Sequence, residues 1–381
     1  MKDREFKKLG IETSVFGMGC MRLPLKESGK PEDIDEPEAI NMIRYAIDNG
    51  VTYIDTAYPY HGGQSEFVVG KALQNGYREK TKLATKSPVW LVKEFEDFEK
   101  YLDEQLERLQ TDHVDFYLLH AMSKERWEEM KKLNAIEFLK DMKKKGKIKY
   151  CGFSFHDNYD TFEEIIDYHD WDMCQIQLNY YDQQYQAGVK GLKYAASKNI
   201  PVVIMEPLRG GNLADVPSQD IVDLWNNSKT KRNPVEWAFA WLYNFKEVNV
   251  ILSGVSTMEQ LKENIEIFDH ADPNTLSQTE LDLVEQVRKL YMEKIKIKCT
   301  GCDYCNGCPQ NVMISTVFDL YNKAHMYGNK EKYAKQYNDF LVKGQHDASQ
   351  CVECGLCESQ CPQNIPIIEE LKKVHAFFSN K

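Results

Sequence analysis

The chain has 381 residues, of which 42% are hydrophobic and 28% charged, and its net charge is -11. This length suits one large domain and one small domain, because single hydrophobic cores stop growing near roughly 250 to 300 residues. The acidic balance argues against a nucleic-acid surface, which needs clustered lysine and arginine. The charged start MKDREFKKLG and the lack of any apolar run near ~20 residues predict an unexported, cytoplasmic protein outside the membrane.

In chain order, short β-branched runs alternate with amphipathic stretches. EFKKLGIETS (5–14) predicts a hairpin. Eight runs without clean polar and apolar alternation then predict buried strands, at 14–20, 51–57, 82–87, 113–120, 148–155, 173–179, 201–207 and 248–255. The stretches between them predict helices, for example at 94–109, 131–145, 187–199 and 234–245.

Eight alternating strand and helix units predict the α/β class and a closed parallel (β/α)8 TIM barrel. Strand count alone leaves an open doubly wound sheet as the alternative. That fold usually carries a GxGxxG turn between a strand and a helix, and this sequence has none there. In a barrel, the hairpin at 5–14 caps the bottom and the carboxyl ends of the strands form the mouth.

Four polar residues follow the ends of consecutive predicted strands and should meet at the mouth. They are Asp55, Tyr60, Lys86 and His120. Together they describe an acid catalyst, because a neighbouring ammonium favours phenolate and is expected to lower the pKa of a phenol from its usual ~10. Asp55 would hold Lys86 charged, while His120 would bind the acceptor oxygen or relay the proton.

Two later loops predict an anion site. PLRGG (207–211) follows the seventh strand and SGVSTMEQLKEN (253–264) follows the eighth, and loops at these positions commonly bind phosphate in such barrels. Arg22 and Arg209 add positive charge near the same opening, so a phosphate or a carboxylate-bearing substrate could use them.

Two capping patterns mark the last helices of this region. Thr257 with Gln260 and Ser277 with Glu280 each predict a helix start, and the second helix leads into a cysteine-rich end. Cys20, Cys151 and Cys174, which lie before that end, are interpreted as buried small apolar residues. The predicted organisation is a barrel domain at 1–276, a connecting helix at 277–298 and a small domain at 299–381.

The remaining eight cysteines lie in two motifs, CTGCDYCNGCP (299–309) and CVECGLCESQCP (351–362), and predict two [4Fe-4S] clusters. In two-cluster ferredoxins the fourth cysteine of each motif serves the other cluster. This arrangement gives one ligand set of Cys299, Cys302, Cys305 and Cys361, and a second set of Cys351, Cys354, Cys357 and Cys308. Zinc is the alternative metal, but zinc ribbons use two separated pairs for each ion, whereas each motif here supplies four consecutive ligands.

The segments DTAYPY, LATKSP and YLLH resemble the catalytic segments of aldo-keto reductases, and the resemblance extends over most of residues 5–270. It implies that Tyr60 donates a proton to a substrate carbonyl, that Lys86 and Asp55 tune it, and that His120 orients the substrate. It also implies a nicotinamide across the mouth, bound by residues from several loops, namely Gly19, Met21, Ser154, Gln175, Met205, Pro207, Leu208, Arg209, Gly254, Gln260, Glu263 and Asn264.

Three positions depart from the pattern of that family. Phe155 stands where the family has asparagine, Met205 replaces the aromatic that stacks on the nicotinamide, and Gly254 replaces a lysine for the 2′-phosphate. NADP and NAD therefore both stay open as cofactors, and a flavin is not excluded. The C-terminal region resembles α-helical ferredoxin domains, with two helices predicted between the cysteine motifs.

Three functions follow from combining the two regions. The leading hypothesis is an NAD(P)H-dependent reductase of aldehydes or ketones whose clusters are structural or pass electrons to a redox partner protein. The first alternative is an oxidoreductase that receives electrons from its clusters, with a flavin near the mouth that splits an electron pair. The second alternative is a non-catalytic nicotinamide or redox sensor, against which the complete set of four mouth residues argues.

Overall fold

The computed structural model describes residues 1–215, 217–299, 301, 305, 307–361 and 363–379. The chain divides into two compact units, the first being Met1–Gly210 with Val235–Ser277 and the second Gly211–Pro234 with Gln278–Lys381. The domain boundaries predicted from the sequence stay predictions. Among the helices of the described residues, none combines the length and the apolar character that crossing a bilayer requires.

The first unit begins with the predicted hairpin. Strand β1 (Asp3–Phe6) pairs antiparallel with β2 (Ile11–Ser14), and Phe6 lies opposite Ile11. Phe6 is fully buried and its ring lies 5.7 Å from that of Phe116, within a cluster of apolar side chains inside the barrel. The hairpin therefore closes one end of the barrel and leaves the opposite end for the mouth.

Eight parallel strands form a closed barrel. They are β3 (Phe16–Gly19), β4 (Tyr53–Asp55), β5 (Lys82–Ser87), β6 (Val114–Met122), β7 (Ile148–Phe155), β8 (Met173–Gln177), β9 (Val202–Met205) and β10 (Val248–Ser253). Strand β10 pairs with both β9 and β3, which closes the sheet and confirms the predicted TIM barrel. The open doubly wound sheet is therefore wrong for this chain.

The strands come very close together at Gly17 on β3. A Cβ atom at this position would lie 2.7 Å from side-chain atoms of both Leu252 and Val250. Only glycine fits there without displacing the β10 side chains that fill the barrel interior. These side chains help to fill the interior below the mouth, and binding sites in such barrels lie at the mouth.

Ten helices accompany or follow the barrel strands. They are α1 (Glu36–Asp48), α2 (Ser65–Ala72), α3 (Phe95–Leu109), α4 (Lys124–Lys132), α5 (Ala135–Lys145), α6 (Tyr159–Tyr168), α7 (Gly188–Ser197), α8 (Gln219–Asn226), α9 (Pro234–Tyr243) and α10 (Met258–Phe268), of which α8 lies in the second unit. The single helix predicted at 131–145 is wrong, because Asn134 adopts a left-handed conformation with φ of 55° and separates α4 from α5.

The second unit is mainly helical. After α8 it contains α11 (Gln278–Glu293), α12 (Ile314–Tyr327), α13 (Lys330–Gln336), α14 (Leu356–Ser359) and α15 (Ile367–Ser379). Helix α13 continues into a π-helical turn at Tyr337–Val342. Both helices predicted between the cysteine motifs are present, and α11 begins immediately after Ser277, as its capping pattern predicts.

Candidate active site

The four residues predicted to share the mouth lie together in the structure. Asp55 ends β4, Tyr60 lies in the turn that follows, Lys86 is near the end of β5, and His120 is on β6. The Lys86 ammonium donates to Asp55 Oδ1 at 2.7 Å, to the Thr56 carbonyl oxygen at 2.8 Å and to the Tyr60 hydroxyl at 3.3 Å. An ammonium has three donors, so this pattern occupies Lys86 fully and leaves the Tyr60 proton for another acceptor.

The charges at this site differ in one respect from the sequence prediction. Burial alone would lower the pKa of Lys86, but Asp55 and Tyr60 raise it above its ordinary value, so Lys86 is charged. Burial raises the pKa of Tyr60 more than Lys86 lowers it. The predicted net lowering of the phenol pKa is therefore wrong, and Tyr60 keeps its proton while the neighbouring ammonium is placed to stabilise the phenolate once the proton leaves.

His120 completes the group as a neutral imidazole. Burial lowers its pKa well below the ordinary value, and the nearby Lys86, His156 and Arg126 lower it further. Its ring centroid lies 6.0 Å from that of Tyr60 and 5.3 Å from that of Trp90. Because Nδ1 is buried without a hydrogen-bond partner among the described residues, a bound ligand could engage this ring.

A buried polar network lies behind Lys86 and holds its strand in place. The fully buried carboxylate of Glu66 accepts from Thr85 Oγ1 at 2.7 Å and from Gln105 Nε2 at 2.6 Å. The same Gln105 amide donates to the carbonyl oxygen of Lys86 at 3.1 Å, and Arg108 lies 3.3 Å from Glu66. These contacts fix the backbone of β5 at the residue that carries the ammonium.

His61, which the sequence reasoning missed, fixes the turn that carries Tyr60. Its Nδ1 lies 2.7 Å from the Pro31 carbonyl oxygen, and its Nε2 accepts from the Leu23 backbone N–H at 3.1 Å. An imidazole that donates through one nitrogen and accepts through the other is neutral, and burial lowers the pKa of His61 accordingly. Adjacency to Tyr60 was the only sequence signal for this role.

The predicted nicotinamide side contains one unsatisfied amide. Gln175 on β8 is buried, its Nε2 lies 3.4 Å from Met205 Sδ, and its Oε1 has no hydrogen-bond partner among the described residues. Ser154 Oγ accepts from the Ala121 backbone N–H at 2.7 Å. Gln175 therefore offers a buried acceptor to a ligand amide at the mouth, with the Met205 thioether beside it.

The predicted phosphate loops lie at the ends of β9 and β10. A Cβ atom on Gly254 would lie 3.2 Å from Arg22 Cβ, and one on Gly19 would lie 3.6 Å from the Gly254 nitrogen. Glycine at 254 thus leaves room for the stem of Arg22, whose side chain is exposed, as is that of Met21. Pro207 and Leu208 lie in the turn after β9.

Helix α10 begins at the predicted cap beside these loops. Thr257 Oγ1 accepts from the Gln260 N–H at 3.3 Å, while Gln260 Oε1 accepts from the Ser256 N–H at 2.9 Å. Buried Asn264 donates to Ser253 Oγ at 3.0 Å, and Glu263 is half-buried on the same helix. The side chains of Gln260 and Asn264 therefore form hydrogen bonds to the loop that precedes α10. Any contact of theirs with a cofactor stays a prediction.

Arg209, unlike Arg22, has side-chain partners among the described residues. Its Nε lies 2.9 Å from Asp182 Oδ2, and its guanidinium carbon lies 4.5 Å from the centroid of the Tyr181 ring. The Asp182 carboxylate also accepts from Asn179 Nδ2 at 3.2 Å. Asp182 thus offsets the charge of Arg209, which makes it a poorer anion site than the sequence suggests.

The second unit contains seven of the described cysteines. Cys357 is buried, Cys354 is exposed, and five others are partly buried, namely Cys299, Cys305, Cys308, Cys351 and Cys361; Cys302 lies outside the described residues. Burial and the nearby Cys351 raise the pKa of Cys357 to about 11. Within the described part of the chain, no three metal-binding side chains meet in one group, so the two predicted ligand sets stay predictions.

Buried polar side chains hold the backbone before each cysteine motif. Asn322 Oδ1 accepts from the backbone N–H groups of Lys296 and Ile297 at 2.9 Å each, and its Nδ2 donates to the Ile297 carbonyl at 2.7 Å. Asp347 caps the turn before Cys351 by accepting from the Ser349 N–H at 2.9 Å. The other three cysteines, Cys20, Cys151 and Cys174, are buried in the barrel as predicted.

The family comparison agrees with this geometry. The model of the aldo/keto reductase family matches residues 16–289, and that of the 4Fe-4S dicluster domain matches residues 298–365. The first match covers well over half of the chain. The protein belongs to the aldo/keto reductase family and is an oxidoreductase that carries a 4Fe-4S dicluster domain.

Individual relatives match the barrel region. "Aldo-keto reductase YhdN" of Bacillus subtilis is 30% identical over 275 residues, covering 66% of this chain and 73% of its own. The "NADH-specific methylglyoxal reductase" of Escherichia coli is 25% identical, covering 67% and 90%. Among solved structures, the holo form of aldo-keto reductase AKR11C1 from Bacillus halodurans is 25% identical, with a TM-score of 0.62 and coverage of 75% and 96%.

Four buried or half-buried histidines of the barrel predict a pH-dependent stability. Burial is the first cause that lowers the pKa of His61, His120, His156 and His169 below 6.5. As the pH falls through 6.5, these histidines bind protons in the unfolded chain but stay neutral in the native state. The native state therefore loses stability relative to the unfolded state. Each such histidine contributes a slope of at most about 1.4 kcal/mol per pH unit, in the range between its native and unfolded pKa values.

We therefore expect the free energy of unfolding in urea to fall between pH 7.5 and 5.5. Replacing His61 with Gln should reduce this slope, whereas His270→Gln should not, because His270 lies exposed on the surface. Equal stability at both pH values would contradict the assignment of neutral buried imidazoles.

Proposed function

We propose that this protein is an NAD(P)H-dependent carbonyl reductase with two [4Fe-4S] clusters in its C-terminal domain. The observation that carries the proposal is the contact of a charged, fully buried ammonium with the Tyr60 hydroxyl at a barrel mouth, beside a neutral imidazole. This arrangement suits the reduction of an aldehyde or ketone to an alcohol, in which the carbonyl carbon takes a hydride and the oxygen takes a proton.

Tyr60 is the proton donor in this proposal. The substrate carbonyl oxygen accepts a hydrogen bond from the Tyr60 hydroxyl, with neutral His120 on the other side. As the oxygen gains negative charge, the proton moves from Tyr60, and Lys86 stabilises the phenolate left behind. Asp55 keeps Lys86 charged and oriented through their 2.7 Å contact, so it acts as a positioning residue.

The nicotinamide would supply the hydride when bound. The residues present fit its carboxamide, because the buried Oε1 of Gln175 is an unsatisfied acceptor beside Met205. Ser154 is the second polar residue predicted here. The name of the Escherichia coli relative specifies NADH, which supports a nicotinamide cofactor without deciding between NADH and NADPH for this chain.

The cysteines would hold the two clusters. Eight thiolates in two motifs fit two four-iron clusters by donor number and type, and the dicluster model spans both motifs. When bound, the clusters would carry single electrons or stabilise their domain. Because a hydride carries two electrons at once, carbonyl reduction at the barrel needs no electron from them, and a redox partner protein is their proposed route of exchange.

The test is to purify the protein anaerobically and record its visible spectrum before and after adding NADH or NADPH. We then expect oxidation of one nicotinamide for each aldehyde reduced, without bleaching of cluster absorbance by nicotinamide alone. Bleaching by nicotinamide would favour internal electron transfer, and flavin absorption bands would favour the flavin-linked alternative. A lack of turnover across aldehydes, quinones and 2-oxo acids would contradict a reductase.

A further inference from the structure

A cation that the sequence reasoning missed lies beside His120. Arg126 is in the first turn of α4, directly after β6, and its side chain is half-buried. One terminal guanidinium nitrogen donates to the Ala121 carbonyl oxygen at 2.7 Å, and the guanidinium carbon lies 5.6 Å from the centroid of the Trp90 ring. The guanidinium is thereby held between the strand that carries His120 and an aromatic wall of the mouth.

The backbone that holds Arg126 is itself fixed. Ala121 has a φ of 52°, which is unusual for a residue with a side chain, and its N–H donates to Ser154 Oγ at 2.7 Å. The N-cap residue Ser123 accepts from the Arg126 N–H at 3.4 Å. Strain of this kind persists only where the surroundings impose it, so the position of Arg126 is built into the end of β6.

The charge of Arg126 is not offset within the described part of the chain. No carboxylate there lies within 4.0 Å of its guanidinium, although Glu125 and Glu129 are close in sequence. Lys86 and Arg209 differ in this respect, because Lys86 is paired with Asp55 and Arg209 with Asp182. Arg22 also has no ion pair among the described residues, but its side chain is exposed on the loop after β3 and is not packed against an aromatic ring of the mouth. The permanently charged groups that shift the pKa of His120, Lys86 and Arg126, are both positive, so with the unpaired guanidinium this side of the mouth favours an anion.

A series of close ring contacts connects the proposed proton donor, Tyr60, with Arg126. The ring centroids of Tyr60 and His120 are 6.0 Å apart, those of His120 and Trp90 are 5.3 Å apart, and the Arg126 guanidinium carbon is 5.6 Å from Trp90. After its bond to Ala121, the guanidinium keeps four of its five donors, which can bind a carboxylate in a bidentate way. Tyr60, His120, Trp90 and Arg126 therefore form a continuous series of contacts along one side of the mouth.

We propose that Arg126, packed against Trp90, binds the carboxylate of an oxo-acid substrate whose carbonyl group lies at Tyr60 and His120. This inference rests on the proposed carbonyl reductase function and specifies its substrate class. Arg126 would act on specificity through a charge-assisted hydrogen bond rather than on proton transfer. Hydrogen bonds to charged groups contribute roughly 1.5 to 3 kcal/mol, or about 10- to 150-fold in kcat/KM.

The kinetic test compares free oxo acids with their neutral methyl esters. Glyoxylate, 4-oxobutanoate and 5-oxopentanoate are each measured against the corresponding ester, with the anaerobic holoprotein. We expect the wild type to prefer at least one acid by tenfold or more, and Arg126→Ala to lower that acid-to-ester ratio by about 10- to 150-fold, mainly through KM. Arg126→Lys should retain part of the preference, because it keeps a charge but loses the planar fork.

Arg44→Ala is the matched control. Arg44 on α1 also donates to a backbone carbonyl, that of Ala72 at 2.9 Å, and lies 5.0 Å from the Tyr77 ring centroid, but α1 packs outside the barrel. Its replacement should leave the acid-to-ester ratio unchanged. A wild type without preference for any acid, or an Arg126→Ala variant with an unchanged ratio, would overturn the proposal.

A binding measurement keeps the inference separate from the reductase function. Butanoate should quench or shift the fluorescence of Trp90 in the wild type, whereas butanamide should not, and both Arg126→Ala and Trp90→Phe should abolish the change. If the wild type reduced no aldehyde but still bound butanoate in this way, the reductase proposal would fail and the carboxylate site would stand. Equal responses to butanoate in the wild type and Arg126→Ala would overturn the site.

Discussion

Replacing Tyr60 with Phe is expected to lower kcat/KM for aldehyde reduction by roughly 10²- to 10⁴-fold, the usual contribution of a positioned proton donor. The variant loses the one hydroxyl that Lys86 contacts at the mouth while keeping the ring that packs 6.0 Å from His120. Nicotinamide binding should persist, because Gln175 and the loops after β9 and β10 are untouched. Steady-state kinetics with fluorescence titration of NADH and NADPH measures both quantities.

Tyr58 provides the control for this substitution. It belongs to the same DTAYPY segment, but its hydroxyl donates to Glu104 Oε2 at 3.0 Å and its ring lies 4.1 Å from the Arg108 guanidinium carbon. Tyr58→Phe should therefore retain aldehyde reduction. Turnover by Tyr60→Phe at the level of Tyr58→Phe would remove Tyr60 as the proton donor.

The second large effect concerns the cysteine motifs. Replacing Cys354 with Ala is expected to remove one cluster, so that iron in anaerobically purified protein falls from roughly eight to four atoms per chain. Cys174→Ala should keep its iron, because Cys174 is fully buried on β8 of the barrel. Iron and sulfide analysis with electron paramagnetic resonance of the reduced protein measures the loss.

The same experiment tests the predicted exchange of ligands between the motifs. If the fourth cysteine of each motif serves the other cluster, Cys308→Ala should lose the same resonance as Cys351→Ala. Cys361→Ala should then match Cys299→Ala. If Cys308→Ala instead behaved like Cys299→Ala, each motif would hold its own cluster and the crossed ligand sets would be wrong.

The barrel strands could be predicted from the sequence because each corresponds to a short, continuous apolar run. The runs at 82–87 and 148–155 match β5 and β7 residue for residue, since buried parallel strands are near-continuous apolar segments. The predicted helix at 131–145 failed at Asn134, because the apolar spacing continues across the break and the left-handed residue gives only a weak signal.

The sequence described the candidate site less completely. The order of Asp55, Tyr60, Lys86 and His120 placed them at one mouth, because parallel strand ends must meet there. The pKa of Tyr60 depends on how deeply the phenol is buried, which motif spacing does not reveal. The contacts of His61 with the Pro31 carbonyl and of Arg126 with the Trp90 ring join residues that are distant in sequence, so adjacency to Tyr60 was the only signal for His61 and no pattern indicated Arg126.

The most direct measurement follows the hydride itself. Nicotinamide deuterated at the transferring position of C4 is mixed anaerobically with the protein and an aldehyde in ordinary water, and the alcohol is analysed by mass spectrometry. A hydride passed directly at the barrel mouth predicts one deuterium on the carbinol carbon for each nicotinamide oxidised. Alcohol whose carbinol hydrogen came from water, with no deuterium, would show that the hydride is not passed directly from nicotinamide, as in the cluster-fed or flavin-linked alternatives, and would contradict the account.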